Sequence, residues 1–232
     1  MSSLNQFQQQ FIEFLVRCEV LTFGDFTTKS GRKTPYFVNT GRVRTGSQID
    51  QFASFYARTI VEKIGDQFEV IFGPAYKGIP LATAISTCLA RDHGIDRGFC
   101  FDRKEIKDHG EGGSLVGAIP ADGDRVLIVE DVTTAGTSIR ETVPKLLAAA
   151  DVKLAGLVIS VDRRERGTAD RAALDQLADD LAMPCMAVVT VHDVIEYLHR
   201  REIDGRVVID DEIRSRMEQY LDEHGPRNRT IQ

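Results

Sequence analysis

The chain reads as an α/β protein: a central parallel sheet flanked by helices, with a small N-terminal hood. From Val70 onward, short apolar β-branched runs alternate with helical patterns, the order that gives a parallel sheet covered on both faces. The first forty-odd residues do not fit this alternation and read as an appended hood. The run RVLIVEDVTTAGTS, from Arg125 to Ser138, joins a doubly buried strand to a helix through two carboxylates and a string of small residues.

Element by element, Leu4, Phe7, Phe11, Phe14 and Leu15 recur at helical spacing, with Ser2 or Ser3 as N-cap and an end near Glu19. Residues 21–40 read as β segments around a turn at Ser30, Gly31, Arg32 and Lys33. Ser47 reads as the cap of a second helix, with Ile49, Phe52, Tyr56, Ile60 and Ile64 on its apolar face. Strands are then predicted at 70–72, 99–101, 126–129, 154–161 and 186–191. Helices are predicted at 78–91, 139–150, 171–181 and from about 193. The organisation is a single domain over 1–232: a hood over 1–45, an α/β core over 46–201 and a C-terminal helical extension over 202–232 with a frayed polar tail.

The 232 residues carry 29 basic against 35 acidic side chains, a net charge of −6, which argues against a nucleic-acid or membrane-surface partner. The N-terminus has neither a basic region nor a long apolar run, so no signal peptide is expected. Cys18, Cys88, Cys100 and Cys185 are scattered without metal-type spacing and read as reduced thiols, which places the chain in the cytoplasm.

Chemistry is concentrated where strands end. In an open parallel sheet, ligands bind outside the carboxyl ends of the strands. Behind the strand at 126–129, the small residues Thr133, Thr134, Ala135, Gly136, Thr137 and Ser138 let backbone N–H groups and a helix N-terminus approach a phosphate. Glu130 and Asp131 can accept hydrogen bonds from sugar hydroxyls or attract a cation through water. On its own, such an acidic pair is more often a solvated turn. The segment FGPAYKG places Lys77 at a helix start, where a cation gains nothing from the dipole but suits a bound anion. The segment DRKEIKDHGEGGS, from Asp102 to Ser114, interleaves Arg103, Lys104, Lys107 and His109 with acids and ends in glycines. It reads as a solvated loop or as a lid over polyphosphate. In SVDRRERG, Arg163 offers a fork-shaped contact to a carboxylate or imide. Nucleotide-binding GxGxxG and Walker signatures, HExxH and GxSxG are all missing from the sequence.

VLIVEDVTTAGTS resembles the phosphoribosyl-pyrophosphate (PRPP) signature of the type I phosphoribosyltransferases. FTTKSGRKTPYFVNTG, FGPAYKGIPLA, FDRKEIKDHGEGG and ISVDRRERG narrow the resemblance to the orotate phosphoribosyltransferases, over about residues 26–167. The resemblance implies the type I phosphoribosyltransferase fold and transfer of phosphoribosyl from PRPP to orotate, with Mg²⁺ as cofactor, in UMP biosynthesis. It further implies a cytoplasmic homodimer with shared active sites. By that likeness Thr134 to Ser138, including Ala135, cradle the 5′-phosphate, Val132 and Thr133 also serve PRPP, and Glu130 and Asp131 meet the ribose hydroxyls. Tyr76, Lys77 and Lys29 serve PRPP. Arg103, Lys104, Lys107 and His109 close over the pyrophosphate, and Tyr36, Phe37, Thr134 and Arg163 hold orotate. Mg²⁺ is then held mainly by PRPP and water near Glu130 and Asp131, with no direct protein ligand. Catalytic roles fall to Lys107, Arg103, His109 and Asp131. Glu130 stands where many family members have Asp, and Tyr36 where Phe is common. Two other readings stay open at this level: transfer to a different base such as a purine, and a PRPP-sensing regulator that binds without transferring.

Overall fold

The computed structural model describes residues 4–28, 31–104, 114–133, 136–167 and 170–227. Five strands run parallel: β3 (Val70–Phe72), β4 (Gly98–Asp102), β6 (Arg125–Val129), β7 (Lys153–Asp162) and β8 (Cys185–Thr190). A sixth, β5 (Leu115–Gly117), adds antiparallel to β4 at one edge, giving the order β5-β4-β3-β6-β7-β8. This short edge strand has no alternation of its own to announce it; its register is set by pairing Asp102 with Leu115. Side chains alternate across the sheet as strand geometry requires. Ile71, Leu127, Val129, Val158 and Val161 enter one buried cluster, while Val70, Phe72, Val126, Ile128, Leu157 and Ile159 enter the other.

The second cluster is closed by α4 (Thr137–Ala149) and α5 (Ala173–Leu181). The first is closed by α2 (Gly46–Lys63), α3 (Gly78–His93) and α6 (Val191–Leu198), and also by α1 (Gln6–Arg17). Thus the expected hood divides. Phe7, Phe11, Phe14 and Leu15 of α1 are buried in the main body, with the Phe11 ring 5.0 Å from that of Phe55 on α2. Of that hood, the antiparallel hairpin β1 (Leu21–Thr27) and β2 (Lys33–Val38) forms a sheet of its own. The helix caps also differ from expectation. Asn5 with Gln8, and Thr45 with Gln48, form reciprocal capping boxes, so the second helix is capped at Thr45 rather than Ser47, while Ser2 and Ser3 lie outside the described residues. Helix α5 starts at 173 because Ala172 is held in a bridge to Arg166.

The C-terminal extension consists of a small ribbon, β9 (Glu202–Ile203) with β10 (Arg206–Val207), and helix α7 (Asp211–His224). Met217, Tyr220 and Leu221 turn inward, and α7 lies against β2.

Phe11→Ala removes a fully buried ring from the interface of α1 with α2 and is expected to cost roughly 3–5 kcal/mol. The check is urea unfolding followed by circular dichroism, which should show one cooperative transition at lower urea. An unshifted main transition would mean that α1 is a dispensable cover.

Candidate active site

Because β3, β4, β6 and β7 are parallel, their carboxyl ends lie on one edge of the sheet, and the four predicted segments follow those ends. After β3, Gly73 to Lys77 make a tight turn. A Cβ on Gly73 would lie 2.0 Å from the carbonyl oxygen of Gly78, so only glycine allows the chain to fold back this closely. The turn exposes Tyr76 and Lys77. It is anchored from beneath by Asp102, which is buried at the end of β4. One Asp102 oxygen accepts the Ala75 N–H at 2.7 Å and the other accepts Lys145 Nζ at 2.5 Å. Arg103 and Lys104 come next, where the chain leaves β4 before returning as β5.

The two carboxylates after β6 are held in a nearly dry setting. The Tyr56 hydroxyl donates to the Glu130 carbonyl at 2.9 Å, and the Ser160 hydroxyl donates to the Asp131 carbonyl at 2.5 Å. Burial, followed by the charge of Asp131, pushes the Tyr56 phenol well above its ordinary value, so it stays a donor. The Glu130 carboxylate accepts the Asp131 N–H and the Ser138 hydroxyl, each at 3.0 Å. Asp131 accepts Lys77 Nζ at 2.8 Å and the Thr40 hydroxyl, which comes from the single 3₁₀ turn after β2. These surroundings split the pair. Burial, then the neighbouring Asp131, raises Glu130 from near 4.5 to about 7. Burial also works to raise Asp131, but the hydrogen bonds from Lys77 and Thr40 and the charge of Lys77 outweigh it and lower Asp131 below its ordinary value.

The chain then enters α4 through Gly136 at φ 72, where a Cβ would meet Leu177 at 2.6 Å. Its N–H donates to Thr133 Oγ1 at 2.9 Å. Glycine at the N-cap has no side chain to satisfy the first-turn N–H groups of α4, which leaves them suited to an anion. Val132, Thr133 and Ser138 are half-buried and Thr137 is exposed.

After β7, the structure departs from the simplest expectation for the base. Tyr36 has no exposed surface. Its ring lies under the Arg163 guanidinium, 4.8 Å away, and edge-on to Tyr220. The ring with an open face is Phe37, stacked on Phe26 at 5.6 Å. The Arg163 fork is engaged within the chain: Nε and Nη2 donate to Glu165 Oε1 at 2.9 and 2.6 Å. Lys29, Lys107, His109, Thr134 and Ala135 lie outside the described residues.

A model of the phosphoribosyl transferase domain matches residues 43–180. An orotate phosphoribosyltransferase of Clostridium acetobutylicum is 50% identical over 222 residues, spanning 96% of this chain and 99% of that one. The chain belongs to the orotate phosphoribosyltransferase family. Among solved structures, an orotate phosphoribosyltransferase of Francisella tularensis matches with a TM-score of 0.79 and 38% identity, covering 93% of this chain and 99% of that one. A UMP synthase of Leishmania donovani matches at 0.72 and 25% identity, with 42% of its longer chain covered. The fold is thus the type I phosphoribosyltransferase fold, and the chain is an enzyme of the pentosyltransferase class.

The side chains that fasten this family site were harder to read. Thr40, Asp102, Ser160 and Glu165 lie inside the stretches that carry the resemblance but are given no role there, and Tyr56 and Lys145 lie outside them. In SVDRRERG the acid between Arg164 and Arg166 is a visible hint of an internal ion pair.

Glu130 holds its proton more tightly folded than unfolded. It therefore favours the folded state below about pH 4.5, and that contribution is lost as pH rises through about 7. Glu130→Gln should accordingly gain stability over the parent between about pH 5 and pH 8, by on the order of 1–3 kcal/mol. Thermal unfolding of both proteins across this range measures it. A difference that stays flat would show that Glu130 does not titrate as a buried carboxyl.

Proposed function

We propose that this chain transfers the 5-phosphoribosyl group of PRPP to orotate, giving orotidine 5′-monophosphate and pyrophosphate in UMP biosynthesis. The observation that carries this reading is the meeting, on one sheet edge, of a hydroxyl-accepting carboxylate pair, an uncapped helix start, a lysine turn and the Arg163 fork. Glu130 and Asp131 take the ribose hydroxyls, and the N–H groups opening α4 take the 5′-phosphate. Lys77, now on Asp131, has only to swing away to meet the diphosphate as the hydroxyls replace it. Arg163 and Phe37 receive the base.

No protein nucleophile is required. The orotate nitrogen attacks the anomeric carbon as the C–O bond to pyrophosphate breaks, and the chain's own part is to align the two and stabilise the departing charge. Arg103, Lys104, Lys107 and His109 supply that charge. Among the described residues no three acidic, histidine or cysteine side chains converge as a metal cage. Two carboxylates, one already sharing Lys77 and Thr40, suit a Mg²⁺ ion held mainly by PRPP and water. When bound, the ion neutralises charge on the diphosphate. A homodimer with shared sites and a cytoplasmic location belong to the same reading. No helix among the described residues is long and apolar enough to cross a membrane.

Purified protein with PRPP and Mg²⁺ should consume orotate, seen as loss of its ultraviolet absorbance, while adenine and hypoxanthine are left unchanged. Purine turnover in place of orotate would replace this reading with the alternative base, and PRPP binding without any turnover would replace it with the regulator. Two variants assign roles. Lys107→Ala should lower turnover at least tenfold, within the ~10²–10³ typical of a single well-aimed donor. Full activity would remove Lys107 from the mechanism. Asp131→Asn should weaken PRPP in a calorimetric titration, and unaltered affinity would count against its contact with the ribose.

A further inference from the structure

Behind Arg163 lies a buried cluster that the transfer reaction does not use directly. Glu165 is almost wholly enclosed and receives donors from four side chains on the hairpin, the loop after β7 and α7. Its Oε1 takes the Arg163 fork, the Tyr220 hydroxyl at 2.8 Å and the Tyr36 hydroxyl at 3.4 Å; its Oε2 takes Arg32 Nη1 at 2.9 Å. The Tyr220 hydroxyl and Arg32 of the hairpin both donate to this carboxylate, and the neighbourhood of Tyr220 raises the pKa of that arginine. Tyr220 therefore joins the hairpin arginine in a relay through the carboxylate that holds Arg163.

Charge makes this relay matter. Two guanidinium groups share one carboxylate, a net single positive charge, with Arg163 enclosed and Arg32 reaching solvent. Such a cluster favours a ligand that brings its own carboxylate. Its direction depends on how Glu165 divides the two arginines, and the Tyr220 hydroxyl is one of the donors that hold Glu165 Oε1 against Arg163.

Tyr220 is on α7, in the C-terminal extension. That helix straps the site at three heights. Arg216 pairs with Asp25 in β1 and donates to the Gly24 carbonyl, Tyr220 meets Glu165, and the end of α7 receives the loop after β7. There Arg166 N–H donates to the His224 carbonyl at 2.8 Å, and its Nη2 to the Glu223 carbonyl at 2.6 Å. We infer that Tyr220, acting through Glu165, is a positioning residue that sets the Arg163 guanidinium for an anionic base, and that α7 is a working part of the base subsite. This rests on the reading of Arg163 as the orotate contact.

Tyr220→Phe keeps the ring against Tyr36 and deletes only the hydroxyl. It is expected to raise the KM for orotate threefold or more, with kcat and the KM for PRPP within twofold of the parent. Arg163→Lys keeps a cation for Glu165 but not the fork, and should raise the orotate KM further. In the double variant the Tyr220→Phe change should then add little, because its effect passes through the missing fork. An unchanged orotate KM in Tyr220→Phe, an equal rise in the PRPP KM, or full additivity with Arg163→Lys would overturn the inference. If Arg163→Lys itself leaves the orotate KM unaltered, the base-subsite reading fails first. A raised KM in Arg163→Lys but not in Tyr220→Phe sinks the role of Tyr220 alone.

Discussion

The site depends on placing two adjacent carboxylates in a setting with little water and keeping them apart in protonation. A buried carboxylate without partners is costly, and two side by side repel. The chain meets this at the end of β6 by assigning each neighbour a task. Tyr56 from α2 and Ser160 from β7 satisfy the backbone carbonyls of the pair. Lys77 and Thr40 then stabilise the charge on Asp131, while Glu130 is left with the Ser138 hydroxyl and the Asp131 N–H. Lys77 and Thr40 reach Asp131 only because the β3 turn and the segment after the hairpin converge on this edge. The carboxylate pair thus explains why the flanking elements are where they are.

A second buried carboxylate, Glu165, organises the other half of the site in the same manner. It is shared by two arginines and two tyrosines, and it ties β2, the loop after β7 and α7 into one unit. One half of the edge is acidic in purpose and suited to hydroxyls, and the other carries excess positive charge suited to an anion. A substrate pair of phosphorylated sugar and carboxylated base fits that division.

The layered fold was legible because its signals are periodic. Apolar β-branched runs placed five strands, and 3.6-residue spacing placed the helices between them. The exceptions have local causes. Edge strand β5 is three residues long, and the caps at Asn5 and Thr45 were decided by the glutamines three positions later. Helix α1 looked separate because it precedes the alternation, yet its phenylalanines close the main core. For the site, the residues proposed to meet ligand announced themselves through small-residue turns and clustered charge. Those that hold them did not, since Tyr56 and Asp102 act through partners 74 and 27 positions away, and Glu165 joins its neighbour Arg163 to Arg32, 133 positions earlier. Tyr36 shows the limit well: an aromatic beside Phe37 in sequence, it points to the opposite side of β2 and becomes packing under Arg163.

The most direct test is a crystal structure of the chain with PRPP and Mg²⁺. The account predicts ribose hydroxyls on Glu130 and Asp131, the 5′-phosphate on the N–H groups opening α4, and Lys77 moved from Asp131 to the diphosphate. A sugar phosphate bound elsewhere, with the Lys77–Asp131 pair intact, would contradict it.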